Sequence, residues 1–208
     1  RHATDRPRRV GIVGLGIGTL AVYGRPDDRF TFFELDPDIE RLAERHFTFL
    51  DDARRHGTQV DVELGDARLA LERPGVEQFD VLVIDAFNSD TIPVHLLTRE
   101  AFELYVGLLA PDGVLALNIS SSHFDLRPVV ETLAEESRLV SRTVMSAPNH
   151  SLGQDPALWV LLSVRPAVLD FDELQKLRQV ARSSQQRGDD QSVILTPTGR
   201  RLLWTDSF

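Results

Sequence analysis

The chain has 208 residues, 42% of them hydrophobic, enough to bury a sizeable core in one large domain or one domain with a small extension. A net charge of −9 argues against a nucleic-acid groove or an anionic membrane surface as partner, and the complete lack of Cys excludes disulfides, thiolate nucleophiles and Cys-ligated zinc. No apolar run approaches the roughly 18 residues of a membrane span, and no signal peptide is visible.

Residues 1–8 are polar and basic and read as a disordered or linker end. The first strand follows at once, so the chain reads as part of a longer protein. Val10 to Val13 is an apolar run that enters the turn Gly14-Leu15-Gly16-Ile17-Gly18. A short helix is predicted over Thr19 to Tyr23, stopped by Gly24-Arg25-Pro26. A second strand, Phe30 to Glu34, ends in a carboxylate about 20 residues past the glycine loop. Asp36-Pro37-Asp38 starts a helix, with Pro37 suited to its first turn and Ile39, Leu42, Ala43 and Phe47 on one face. Val60, Val62 and Leu64 alternate with acids as a half-buried strand that runs into Gly65-Asp66-Ala67-Arg68 and a helix to about Glu72.

Val81 to Ile84 is continuously apolar, as a strand covered on both faces should be, and it ends in Asp85. A loop leads to a helix from Arg99 to Leu109, capped by Thr98. Pro111-Asp112-Gly113 reads as a turn before a fifth strand, Val114 to Ile119, and Asp125 to Ser137 as a helix. Two strands, about Val140 to Met145 and Leu158 to Val164, form a hairpin across a turn-rich connection. An amphipathic helix from Asp170 to about Ala181 and a flexible polar stretch follow. The last eight residues, from Arg201, have no predicted place. The predicted fold is α/β: a Rossmann-like, doubly wound sheet of the class I methyltransferase type, mostly parallel and closed by an antiparallel hairpin. Residues 9–165 form the nucleoside-binding domain, and 166–208 pack on it.

Ligands in such sheets lie beyond the carboxyl ends of the strands. Three consecutive strands after the glycine loop end in, or just before, an acid: Glu34, Asp66 and Asp85. Gly14, Gly16 and Gly18 let the backbone approach a ligand closely. Glu34 can accept from two neighbouring ribose hydroxyls. Asp66 can accept from an adenine amino group while the Ala67 N–H donates to a ring nitrogen, and Asp85 then faces the reacting end. Thr19 stands where a dinucleotide fingerprint needs glycine, and a phosphate-binding Lys is missing, so a sulfonium nucleoside without phosphates fits better. His95 reads as a packed, satisfied histidine, Asp90 as a turn residue and Trp159 as core. Trp204 reads as a tail or subunit contact. No His pair has metal-ligand spacing, so no metal is expected. Ser120-Ser121-Ser122 lacks a nucleophile elbow.

The segments GIVGLGIGTLA, FFELDPDI and GDAR, and above all the run from Asp80 to Ser120, resemble the spermidine synthases. They are closest to the spermidine-synthase-like domains fused to membrane-spanning segments, and the resemblance covers about Arg9 to Ser163. It implies transfer of an aminopropyl group from decarboxylated S-adenosylmethionine to an amine such as putrescine, in a cytoplasmic segment with an implied homodimer. In it Glu34 matches the ribose-binding acid, Asp66 with Ala67 the adenine site, and Asp85 the acid that deprotonates or orients the amine. Asn88 and Asp90 complete the substrate-binding set. Three departures bear on polyamine recognition. Ile17 stands where the family usually carries an Asp, Asn88 stands where it carries a second acid, and an N-terminal β-rich segment is missing. Two alternatives stay open. One is a methyltransferase using intact S-adenosylmethionine, favoured by Ile17 but lacking an acid at Ile12. The other is a non-catalytic domain that binds a nucleoside or polyamine.

Overall fold

The computed structural model describes residues 6–86, 92–121, 123–146, 156–170 and 193–206. The apolar runs become strands β1 (Arg9–Val13), β2 (Arg29–Glu34), β3 (Gln59–Leu64) and β4 (Phe79–Ile84). These pair in parallel in the order β3-β2-β1-β4, and β4 pairs in parallel with β5 (Leu109–Asn118). Beyond them, β6 (Val140–Ser146) and β7 (Ala157–Ser163) form an antiparallel hairpin, with β7 inserted next to β5. This is the doubly wound, mostly parallel sheet with a terminal hairpin that the sequence pattern predicts. An eighth strand outside that prediction, β8 (Val193–Leu195), adds antiparallel to β6. The strand order reverses between β1 and β4, the place beyond whose carboxyl ends such sheets bind ligands.

The helices are α1 (Pro37–His46), α2 (Phe49–Arg55), α3 (Ala67–Leu71), α4 (Arg99–Gly107) and α5 (Arg127–Glu136). Asp36 caps α1 by accepting from the Asp38 N–H at 2.8 Å, with Pro37 in the first turn. Its predicted apolar face is narrower than the pattern implies, with Ile39 and Ala43 packed on the core. Ala43 is buried, but Leu42 and Phe47 are exposed, because Phe47 already lies past the helix end and stacks on Phe49. The chain then turns into α2, which the pattern does not predict. Thr19–Tyr23 is a single 3-10 segment rather than an α-helix. Leu64, expected on a buried face, is exposed. β5 starts at Leu109, five residues before its predicted start, so Pro111-Asp112-Gly113 is an irregularity within a strand rather than a turn before one. The predicted helix over 170–181 and the polar stretch after it lie, apart from Asp170, outside the described residues.

The sheet separates two apolar layers. One packs Phe102, Tyr105, Val129, Val130 and Leu133 from α4 and α5 onto Leu82, Ile84, Leu115 and Leu117. Each such side chain, fully buried, contributes roughly 1.5–3 kcal/mol. The other packs Ala21, Ala43, Leu50 and Ala53 onto Ile12, Phe30 and Phe32. α5 is buried on nearly every side because the C-terminal residues cover its outer face. There the Glu131 carboxylate accepts from the Thr198 N–H, and Thr132 Oγ1 accepts from the Leu202 N–H at 3.0 Å. Burial of these polar groups is possible only with such partners.

Residues 6–8 are anchored rather than frayed. Arg6 pairs with Asp80, and Arg8 with Asp28, whose side chain is 1% exposed. Burial alone would push the Asp28 carboxyl up, but hydrogen bonds from the side chains and backbone amides of Arg8 and Arg25 hold it well below the usual carboxylate range. Asp28→Ala is expected to lower unfolding free energy by about 2–4 kcal/mol. Because the folded-state pKa is depressed, that contribution is present above about pH 4 and is lost only as pH falls through the folded value. Urea denaturation of both proteins at pH 7 and pH 3 measures it.

Candidate functional site

The glycine loop leaves β1 over the end of β4. Gly14 has φ +97°, and a Cβ there would lie 2.4 Å from the Asp85 carbonyl oxygen, so only glycine fits. The Gly14 N–H donates to Phe33 O at 2.8 Å, and the Asp85 N–H to Val13 O at 2.9 Å, drawing the ends of β2, β1 and β4 together. At Gly16 (φ +54°) an added Cβ would meet nothing within 4 Å, so the loop borders open space. Gly18 packs on Leu50.

Glu34, at the end of β2, reaches back to this loop. Its Oε2 accepts from the Leu15 N–H and its Oε1 from the Asp36 N–H, both at 2.9 Å. A carboxylate offers about four acceptor positions, so about two remain beyond these bonds. Asp66 follows β3 and caps α3, its Oδ1 accepting from the Leu69 N–H at 3.0 Å. Ala67 is the first residue of α3. Two exposed leucines lie close by in sequence, Leu35 directly after Glu34 and Leu69 three residues after Asp66.

Asp85 is half-buried at the end of β4. Burial pushes its carboxyl up, and a hydrogen bond from Asn118 Nδ2 to Oδ1 at 2.9 Å offsets this only in part. Asn118 ends the neighbouring β5. Its own Oδ1 accepts from the Ser120 N–H at 3.1 Å and the Ser120 hydroxyl at 2.7 Å, which fixes the amide so that its NH2 faces Asp85. Ser120 Oγ in turn accepts from the Leu158 N–H at 2.8 Å. Sequence reasoning missed Asn118 and Ser120. The available signal was a polar residue ending the strand next to that of Asp85. Among the described residues, Asn118 is the one side chain bonded to Asp85.

The structure therefore brings Gly14, Gly16, Glu34 and Asp85 together around the glycine loop at one end of the sheet, with Asp66 and Ala67 at the end of β3 beside them. Asn88 and Asp90 lie outside the described residues. His95 is a correction. Instead of packing, it is 53% exposed on a 3-10 turn, Val94–Leu96, with Nε2 4.0 Å from Asp66 Oδ2. Its turn is buried on the other side through Leu96, so the apolar pattern around it was satisfied without the imidazole. Trp204 is a tail contact, packed on the larger core. Among the described residues, no group of three His, Asp or Glu side chains stands close enough to hold a metal ion, and no helix is long and apolar enough to cross a membrane.

A doubly wound, mostly parallel sheet of this order, closed by an antiparallel hairpin, defines the class I methyltransferase-type fold. The chain is 30% identical over 212 residues to the polyamine aminopropyltransferase of Vibrio vulnificus, covering 92% of this chain and 67% of that protein. It belongs to that transferase family. It spans only 19% to 36% of three further curated relatives. Its fold is similar to that of a probable spermidine synthase from Corynebacterium glutamicum (TM-score 0.65, 21% identity, all of this chain and 75% of that one). It is also similar to that of human methyltransferase-like protein 13 in complex with S-adenosylhomocysteine (TM-score 0.59, 19% identity, 78% of this chain and 74% of that one). No family model matches the chain. Family and fold together point to an S-adenosylmethionine-type co-substrate.

The raised Asp85 pKa has a consequence for stability. A group whose carboxyl is raised in the folded state costs stability as pH climbs from its unfolded to its folded pKa, and the penalty is full above both. Asp85→Asn keeps an acceptor for Asn118 and removes the buried charge. Its melting temperature is expected to exceed wild type at pH 8, with the difference vanishing as pH falls toward 4; scanning calorimetry at both pH values checks this.

Proposed function

We propose that the domain transfers an aminopropyl group from decarboxylated S-adenosylmethionine to an amine acceptor of the putrescine class. The observation that carries this reading is Asp85: a half-buried carboxylate, held by Asn118, at the point where the strand order reverses. A protonated amine has no lone pair. Asp85 takes its proton, and the raised pKa makes it a better base for the purpose. The amine nitrogen then attacks the methylene carbon next to the sulfonium. The C–N bond forms as the C–S bond breaks, and the sulfur keeps the electron pair, leaving methylthioadenosine.

In this reading Glu34 uses its remaining acceptor positions for the ribose hydroxyls. Asp66 accepts from the adenine amino group, and the Ala67 N–H donates to the ring. Leu35 and Leu69 offer apolar surface to the purine. Two opposed cations, ammonium and sulfonium, are accommodated by a site lined with carboxylates. Asn88 and Asp90 belong to the acceptor side. The reading places the domain in the cytoplasm, working as a homodimer, with tethering to an upstream membrane segment as a further part of it.

One observation favours a second reading. Ile17, exposed in the glycine loop, cannot hold the terminal amine of a decarboxylated co-substrate, and it would not repel the carboxylate of intact S-adenosylmethionine. That co-substrate would make the domain a methyltransferase. Product analysis separates the two: with each nucleoside and a panel of amines, methylthioadenosine is expected and S-adenosylhomocysteine is not. Asp85→Asn is expected to lower kcat about 10²- to 10⁴-fold while calorimetry still shows nucleoside binding. Unchanged turnover in that variant would sink the assignment.

A further inference from the structure

The C-terminal residues end on the rim of the proposed nucleoside site. Leu203 and Trp204 pack on the larger core, and the Trp204 carbonyl accepts from the Arg99 N–H, in the first turn of α4, at 2.9 Å. Two residues on, the Asp206 N–H donates to Glu100 Oε2 at 2.9 Å. The Asp206 carboxylate meets Arg68 through both guanidinium nitrogens, one contact measuring 2.9 Å. Arg68 is only 15% exposed and stands directly after Asp66 and Ala67. The same guanidinium donates to the His95 carbonyl at 3.0 Å, to Thr98 Oγ1 at 3.4 Å and to Glu72 at 3.2 Å. Thr98 caps α4, and the fully buried Tyr105 fixes the 94–96 turn by donating to the Leu96 carbonyl at 3.3 Å.

Arg68 therefore fastens three remote segments: the turn carrying Asp66 and Ala67, the turn carrying His95, and the C-terminal strand of chain around Asp206. A planar fork bound at both ends by a carboxylate holds its orientation far better than one bound to carbonyls alone. The interaction is strong enough to keep the Asp206 carboxyl down at about 2, through hydrogen bonds from Arg68 and Thr98.

We propose that Asp206 is a positioning residue for the purine end of the nucleoside site, acting through Arg68 to hold the Asp66-Ala67 turn in register with the 94–96 turn. This rests on the nucleoside reading above. Among the described residues, the Asp206 carboxylate bonds to Arg68 and not to Asp66. Its effect is on the geometry of the Asp66 carboxylate and the Ala67 N–H.

The test compares wild type, Asp206→Ala and Asp206→Glu by two measurements on the whole chain. Hydrogen exchange reads the amides of residues 64–72 and 92–98 without ligand, and calorimetry reads methylthioadenosine affinity. Asp206→Ala is expected to speed exchange in both segments and to weaken methylthioadenosine binding about five- to tenfold, the low end of coupling between sites. Asp206→Glu is expected to recover most of both. Faster exchange with unchanged affinity would make the contact merely structural and overturn the proposal, as would unchanged exchange. Failure of wild type itself to bind methylthioadenosine, decarboxylated S-adenosylmethionine or S-adenosylmethionine overturns the nucleoside reading, and this inference with it.

Discussion

The absence of a side chain at residue 14 is the constraint on which the site depends. With the Asp85 carbonyl so close to the Gly14 Cα, any larger residue would push the loop away from the end of β4. The hydrogen bonds Gly14 to Phe33 and Asp85 to Val13 would separate with it. Those bonds extend the parallel ladder one step past the strands, so the loop starts from a fixed height and direction. From there Leu15 presents its amide to Glu34, and Gly16 passes beside open space. Two acids on strands either side of β1 thus face the same volume without touching each other. Backbone geometry, not side-chain recognition, does the first part of the assembly.

The strand pattern was legible because β1, β2 and β4 carry dense apolar runs bounded by polar residues and β3 alternates apolar residues with acids. Its order could be read because the acids and the glycine loop mark the same end of successive strands. The helices on the Ile12 side were less legible. α2 buries only Leu50 and Ala53, and its surface consists of short-range charge pairs such as Arg55 with Asp52 at 2.7 Å, so it carries almost no apolar period. The start of β5 was hidden because Pro111-Asp112-Gly113 has turn chemistry yet sits inside a paired strand, where Gly113 is pressed against the backbone of Ala110 and Phe79. β8 and the final residues have no periodicity to read. β8 is held by pairing with β6, and the final residues by contacts to α5, α4 and Arg68, all of which depend on residues remote in sequence. Asn118 was overlooked for a related reason: its meaning appears only once β5 is known to lie beside β4.

The two halves of the proposed chemistry differ in how much of this chain carries them. The nucleoside half is built from strand ends and turns that the chain supplies itself, over the part it shares with its relative from Vibrio vulnificus. The acceptor half involves Asn88 and Asp90, outside the described residues, and the chain spans 67% of that relative's length. Ile17 falls on the boundary between them, at the place in the loop that a co-substrate's reactive tail would pass. An apolar residue there supplies no charge to hold the amine of a decarboxylated tail and none to repel a carboxylate. Selectivity between the two co-substrates, whichever the domain uses, then rests on groups outside the glycine loop.

The ion pair between Arg68 and Asp206 joins positions 138 residues apart. A ribosome adding about 5–20 residues per second exposes Arg68 well before Asp206 exists. Once β5 is made the parallel strands can pair, since all of β1 to β5 precede residue 119, while Arg68 has its contacts to His95 and Thr98 but not yet the one to Asp206. The parallel half of the sheet can therefore form before Asp206 exists, and the contact that fastens Arg68 to Asp206 is made only later.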